Sequence, residues 1–411
     1  MRGKVDEAPE APATARAGPD GAGPPPAAAG PPGGPSALVT ALTGLGVFLL
    51  ITATLFVVAR VSLSILPYTT QHSRPDILAD KLWFNGWFRW DASWYEHIAH
   101  RGYFEPFPGQ QSPAAYFPMY PFLMRIWGAV FHARVLGGIF VTVVSGAAVA
   151  VLYSLWLREK VARPARWTAL LLLLLYPFAY YLTGAVYADA TFIAAVLAAF
   201  LLLERDLPVL AGLAGAAATA TRPVGALLIL PLVLRIVERR GGWRRFRWRD
   251  AGILLTLAGV GGYSALCWAR YGSPTAWIEA QEGWNQSPGP STWFKTEFIR
   301  DLEMFSHTSH DLMAYLSHPV LTLVALALVP RIVRRFGWSY GSYVLVVVGL
   351  SALSTQNFFG MSRYVLAAFP VFAVAAELLV RKPVLRSVWL GLSAALLVSA
   401  TSLFARGFYL S

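Results

Sequence analysis

The chain has 411 residues, of which 56% are hydrophobic and 14% charged, against about a quarter charged in an ordinary soluble domain. That balance excludes a soluble globular enzyme and makes lipid the solvent for most of the chain. The net charge of +12 does not point to nucleic acid, because the Lys and Arg residues form no basic face or arm and instead punctuate the gaps between apolar segments. The single cysteine, Cys267, lies inside an apolar run, so no disulfide framework or thiolate metal site can be built.

In chain order, residues 1–35 are almost wholly Pro, Ala and Gly, with no periodic apolar face to offset the entropy of ordering, and read as a disordered cytoplasmic tail. The run 37–58 is longer than a signal-peptide core of roughly 7 to 15 residues, and no small-residue cleavage site follows it, so it is the first membrane span. A long polar and aromatic stretch, 67–115, separates it from apolar material over 116–157, interrupted near 132–134. Residues 116–132 read as a partial span or a surface helix. Further spans are expected at 167–186, 191–203, 209–220, 224–237, 251–269, 319–330, 338–353, 364–379 and 388–404. The total is about 11 spans. Lipid-exposed backbone must satisfy its hydrogen bonds within each segment, so the fold class is an all-α polytopic membrane protein.

Charge in alternate gaps sets the expected orientation. The gaps 158–166, 235–249, 331–335 and 381–386 hold Arg158, Lys160, Arg239, Arg240, Arg244, Arg245, Arg247, Arg334, Arg335, Arg381 and Lys382, and the positive-inside rule turns them to the cytoplasm. The loops 67–115 and 270–318 then share the outer side. Function is expected there, since long connections are commonly functional.

The first outer loop contains Trp87-Phe88-Arg89-Trp90-Asp91-Ala92-Ser93-Trp94-Tyr95-Glu96-His97. Its aromatic density is what the headgroup zone favours. Ser93 and Glu96 fit a capping box that starts a short helix, and Gly102 fits the left-handed residue that ends it. Asp91 would then lie outside the helix with no capping duty. A carboxylate at the edge of a partly dehydrated cavity gains proton affinity and suits general-base work on a hydroxyl. His97 and His100 lie three apart, but without a third ligand at metal spacing they read as ordinary surface histidines.

Ionisable residues inside apolar segments are the second signal, because a central Arg costs roughly 2.5–3.5 kcal/mol on insertion scales. Arg222, in Ala220-Thr221-Arg222-Pro223, lies between apolar segments too short to cross alone, and Pro223 disfavours helix at Arg222. A break below the outer surface with Arg222 lining a cavity is expected. Arg363 and Asp189 begin spans on the same side. If the spans bundle, two arginines and a carboxylate base converge as a site for an anionic phosphate and a nucleophilic hydroxyl.

Arg89-Trp90-Asp91 through Ile98-Ala99 to Gly102-Tyr103, followed by Tyr116-Phe117-Pro118-Met119-Tyr120-Pro121, resembles the PIG-V type mannosyltransferases, whose eukaryotic members add the second mannose in GPI-anchor assembly. Thr221-Arg222-Pro223 with Gly225, and Ser362-Arg363-Tyr364 with Phe369-Pro370, are similar to that family too. The resemblance implies a GT-C type glycosyltransferase that uses a polyprenyl-phosphate sugar, with Asp91 catalytic in the first outer loop. It assigns substrate binding to Arg89, Trp90, Tyr116, Tyr120, Asp189, Arg222, Arg363 and Tyr364. The family's usual acidic residue after the third span is Glu, where this chain has Asp189. It implies a GT-C membrane domain over residues 36–411 with outer loops 67–115 and 270–318.

One carboxylate base suffices for such a reaction, because phosphate leaves without the second carboxylate that glycosidases need. A β-linked mannosyl phosphate would give an α-linked product by inversion. No nucleotide-binding glycine loop is visible, which agrees with a lipid-linked donor. With arginines to neutralise phosphate and no ligand cluster, neither metal nor cofactor is expected. The preference for Arg over Lys, with Ala and Gly richness, points to a high-GC bacterium and its plasma membrane. A bacterium makes no GPI, so the acceptor stays open as a lipid or a glycan. The alternative is a transporter or flippase of a lipid-linked sugar, which would expose polar residues towards both faces rather than gathering them on one.

Overall fold

Apolar runs with little Pro or charge become long helices, and several of the points where Pro, Gly or a buried charge interrupts the apolar pattern become breaks. The computed structural model describes residues 35–67, 81–105, 111–284, 286, 289–305, 309–408 and 410. The tail expected over residues 1–35 lies outside them but for Pro35. In chain order the main helices are α1 (Ala37–Ile65), α2 (Ala92–Arg101), α3 (Met119–Val130), α4 (Arg134–Lys160), α5 (Arg163–Leu174), α6 (Asp189–Glu204), α7 (Pro208–Thr219), α8 (Ile229–Arg240), α9 (Trp248–Tyr271), α10 (Tyr315–Phe336), α11 (Trp338–Ser354), α12 (Met361–Ala367), α13 (Phe369–Leu379) and α14 (Pro383–Ala405). Among the described residues all regular structure is helical.

Five of these, α1, α4, α9, α10 and α14, are long and apolar enough to cross a membrane, and the α12–α13 pair, bent by 76°, makes a sixth, broken span. The other apolar runs that the sequence counts as spans form shorter helices: α6 has 16 residues, about 24 Å of rise, and α7 and α8 have 12 each. The expected span at 167–186 stops as long helix at Leu174 and continues up to Ala188 as turns around one short helix, Tyr180–Thr183. That stretch is buried among protein, where non-helical backbone at membrane depth is tolerated.

Burial grades from centre to rim. The span window of α4 is 50% buried and that of α1 only 22%, while Ala190, Phe192, Ile193, Val196, Leu197 and Phe200 on α6 are fully buried. Lipid is as apolar as these side chains, so helix association rests on close packing rather than on escape from water. Glycine permits that closeness at two contacts. A Cβ on Gly146 of α4 would lie 1.9 Å from the carbonyl oxygen of Leu182, and one on Gly212 of α7 would lie 2.1 Å from that of Gly252 on α9.

The two ends of the bundle differ in chemistry. At one end Glu204 pairs with Lys160 at 2.8 Å, Arg235 at 2.7 Å and Arg239 at 3.1 Å, and accepts a hydrogen bond from the Tyr340 hydroxyl at 3.1 Å. Arg335 reaches Glu377 at 3.0 Å and the carbonyl of Lys160 at 3.0 Å, and Arg240 pairs with Asp206 and Asp250, both at 2.7 Å. The basic gaps 158–166, 235–249 and 331–335 thus meet at one end, as their charge predicts. At the other end the two long loops meet. The Tyr263 hydroxyl donates to the carbonyl of Ala114 at 2.8 Å, Arg270 Nε to that of Tyr103 at 3.0 Å, and the Tyr271 hydroxyl to that of Phe104 at 3.2 Å.

Candidate functional site

The loop-bearing end holds a cavity of about 620 Å³ lined from both long loops and from the chain breaks at Arg222 and Gly360, a volume within the range of small-molecule sites. Asp91 enters it at the start of α2. The helix begins at Ala92 with Asp91 at its N-terminal boundary, so the capping box expected at Ser93 does not form. Ser93 Oγ donates back to the carbonyl of Trp90 at 3.1 Å, and Glu96 faces Arg134 at 3.9 Å. Asp91 makes no side-chain cap bond either, and its carboxylate is left to the cavity. The preceding residue, Trp90, has a φ of +54°, an uncommon conformation for a bulky side chain that is held only where surroundings enforce it. Here the Tyr187 hydroxyl accepts from the Asp91 amide at 3.1 Å and donates to the carbonyl of Arg89 at 3.3 Å.

Asp189, the first residue of α6, sits where a helix N-terminus favours negative charge. Its side chain is fully buried, and it accepts hydrogen bonds from Arg222 Nη1 and, at 3.1 Å, from Arg363 Nη2. Arg222 is extended, with φ −151° and ψ 147°, as the following proline requires. Arg363 lies in the first turn of α12, after the left-handed Gly360, and its Nη1 reaches Asp91 at 3.5 Å. The four groups form one chain of charge: Asp91, Arg363, Asp189, Arg222. Aromatic rings hold the guanidiniums in place. That of Arg363 lies 4.6 Å from the Tyr187 ring and 4.9 Å from that of Tyr181, and that of Arg222 lies 4.7 Å from the Tyr364 ring. Stacking of this kind suits the flat guanidinium.

The two carboxylates differ in access. The Asp91 side chain is 27% exposed and Asp189 0%. Burial pushes the Asp91 carboxyl above its usual range, and the Arg363 charge and the Tyr116 hydroxyl pull it part of the way back. Arg363 Nε is buried with no hydrogen-bond partner among the described residues. An unmade bond of that kind costs about 1–3 kcal/mol, and a bound anion would supply it.

Trp90, Asp91, Tyr116, Arg222, Arg363 and Tyr364 line the cavity, with Asp189 behind the two arginines. Arg89 and Tyr120, which the sequence reading puts at the substrate, are not on its wall. Arg89 donates to the carbonyl of Ala405 at 2.9 Å, to that of Asn85 at 2.8 Å and to that of Phe88 at 2.8 Å, which ties the start of α2 to the end of α14. The Tyr120 hydroxyl is spent on the carbonyl of Gly138 at 2.9 Å and on Thr142 at 2.8 Å. Both act as supports. Tyr181, Tyr187 and Trp284 belong to the site and escaped sequence reasoning. Among the described residues no group of three His, Cys, Asp or Glu side chains converges.

No protein-family model matches the chain, and no curated protein sequence matches it. Among solved structures, the crystal structure of ArnT from Cupriavidus metallidurans bound to undecaprenyl phosphate is similar, with a TM-score of 0.50 and 14% identity over 88% of this chain and 76% of that one. ArnT is a GT-C glycosyltransferase. The fold is of the GT-C type. At this identity the likeness is one of architecture: an all-helical, multi-pass membrane protein.

Proposed function

We propose that the protein is an inverting glycosyltransferase that moves a mannosyl residue from a polyprenyl-phosphate donor to a hydroxyl of a lipid or glycan acceptor. The reaction takes place on the outer face of a bacterial plasma membrane, in a single GT-C domain over residues 36–411. The observation that carries the reading is the pairing of one accessible carboxylate, Asp91, with two guanidiniums fixed by a buried second carboxylate. Asp91 takes the proton from the acceptor hydroxyl as its oxygen bonds to the anomeric carbon. The bond from that carbon to the phosphate oxygen breaks, and Arg222 and Arg363 neutralise the departing polyprenyl phosphate. Attack opposite the leaving group inverts the anomeric centre.

The lipid-phosphate donor is supported by the undecaprenyl phosphate bound to ArnT, whose fold this chain shares, and mannose by the resemblance to PIG-V type motifs around Asp91. Transport of a lipid-linked sugar asks for a polar path towards both ends. The second charged cluster, around Glu204, is closed on itself by ion pairs with Lys160, Arg235 and Arg239, which favours the transferase. The test is purified protein in detergent with β-mannosyl phosphoryl polyprenol and a glycolipid acceptor. Release of polyprenyl phosphate with an α-linked product is expected. A β-linked product would contradict inversion, and movement of intact donor across a vesicle membrane without cleavage would favour transport.

A further inference from the structure

The arginines between α8 and α9 have two fates. Arg235 and Arg239 pair with Glu204, and Arg240 pairs with Asp206 and Asp250. Arg244, Arg245 and Arg249 are exposed and have no ion pair among the described residues. Arg247 comes no nearer than 3.8 Å to Asp206, and its side chain is 64% exposed. Among them stand Trp243, Phe246 and Trp248, which are 63%, 39% and 84% exposed. The stretch Trp243-Arg244-Arg245-Phe246-Arg247-Trp248-Arg249 thus presents cations and aromatic rings outward, with no acidic side chain in the run.

The loop is held in shape at its base. Gly241 and Gly242, with φ of +73° and +134°, end α8 in a backbone conformation that favours glycine. Their amides donate to the carbonyls of Glu238 at 3.3 Å and Val237 at 3.0 Å. Asp250, which is 1% exposed, accepts from Arg240 Nε at 3.0 Å and Nη2 at 2.7 Å, and from the Arg247 amide at 2.8 Å. The two ends of the loop are therefore closed on each other, and little ordering remains for a partner to impose. Trp248 is also the first residue of α9, a helix long and apolar enough to cross a membrane. An indole exposed at that point belongs at headgroup level, which puts the neighbouring guanidiniums at the depth of the lipid phosphates.

Guanidiniums bind phosphate oxygens in pairs, and unpaired cations at a membrane surface attract anionic headgroups. A zwitterionic headgroup would bring its own cation against the arginines. A soluble acidic partner would satisfy the charges and leave the rings without apolar cover. We propose that residues 243–249 are a binding surface for the headgroups of anionic phospholipids in the leaflet at that end of the bundle. The proposal does not depend on the transferase reading.

The test follows the thermal midpoint of the delipidated full chain in neutral detergent micelles as phosphatidylglycerol, phosphatidylcholine or soluble polyglutamate is added. Phosphatidylglycerol should raise the midpoint at a lower mole fraction than phosphatidylcholine, less so at high salt, and polyglutamate should not raise it. One arginine near an anionic surface is worth about fivefold in affinity. The triple variant Arg244→Gln, Arg245→Gln, Arg249→Gln should therefore need at least about tenfold more phosphatidylglycerol for half the rise, with its midpoint in phosphatidylcholine unchanged. Trp243→Ala combined with Trp248→Ala should act in the same direction. Equal effects of the two lipids on the native protein, a native response to phosphatidylglycerol in the triple variant, or a rise with polyglutamate that matches phosphatidylglycerol overturns the proposal. Should the triple variant be less stable in phosphatidylcholine, native mass spectrometry decides: fewer bound phosphatidylglycerol molecules than on the native protein uphold the surface, and an equal number overturns it.

Discussion

Asp91 and Asp189 are carboxylates of one site with different duties, set by their contacts. Asp189 faces two guanidiniums and no cavity, which makes it a positioning residue. Asp189→Asn leaves two buried cations without their counter-charge, and removing one partner of a buried pair typically costs about 3–5 kcal/mol. A lower thermal midpoint in detergent and a raised donor KM are expected together. In the proposed reaction Asp91 works as the carboxylate, so the rate should fall as pH drops through its pKa. Burial raises that pKa, which puts the acid limb of the pH–rate profile above the ordinary aspartate value of about 3.9. Arg363 opposes the rise, so Arg363→Gln should move the limb to still higher pH, as well as raise the donor KM. A limb that stays in place would remove Arg363 from contact with the base. Asp91 and the arginines were legible in the sequence because a charge in an apolar context demands a reason. Tyr181, Tyr187 and Trp284 were not, because aromatic residues near a membrane boundary already have one.

The breaks between helices, more than the helices, build the site. The break at Arg222 was legible through Pro223, and the extended backbone there agrees with it. The bend between α12 and α13 falls just ahead of Pro370, which lacks the N–H an unbroken helix needs, yet hydropathy alone reads 364–379 as continuous. The start of α2 was misplaced because the capping box depends on where Ser93 Oγ points, and it points back to Trp90. Close helix contacts were illegible too, since a glycine in an apolar run gives no sign of what faces it. Gly146→Val should lower stability by about 1–3 kcal/mol, the usual cost of overpacking, because its Cβ position lies 1.9 Å from the Leu182 carbonyl oxygen. Gly46, which faces open space on α1, is the matched control, and Gly46→Val should leave the thermal midpoint nearly unchanged.

Across the whole molecule, sequence charge predicts which gaps share an end: the ion pairs around Glu204 join two of them, and the hydrogen bond from Arg335 to the carbonyl of Lys160 brings in a third. Which end faces the cytoplasm follows from the positive-inside rule. With Cys267 replaced by Ala, Ser273→Cys should react with a membrane-impermeant maleimide on intact cells and Arg244→Cys should not; the reverse pattern would invert the orientation. The meeting of loops 67–115 and 270–318 over one cavity was beyond sequence reasoning, because nothing local encodes a contact between residues so far apart as Gln111 and Gly283. The central claim is that this cavity performs glycosyl transfer with Asp91 as its base. The most direct measurement is single-turnover release of polyprenyl phosphate from bound donor in the presence of acceptor, compared between the native protein, Asp91→Asn and Glu96→Gln. General-base catalysis contributes about 10²- to 10⁴-fold, so Asp91→Asn should slow release by that factor with donor binding intact, while Glu96→Gln, whose partner is a surface arginine, keeps nearly the native rate. Retention of more than about a tenth of the native rate in Asp91→Asn would contradict the account.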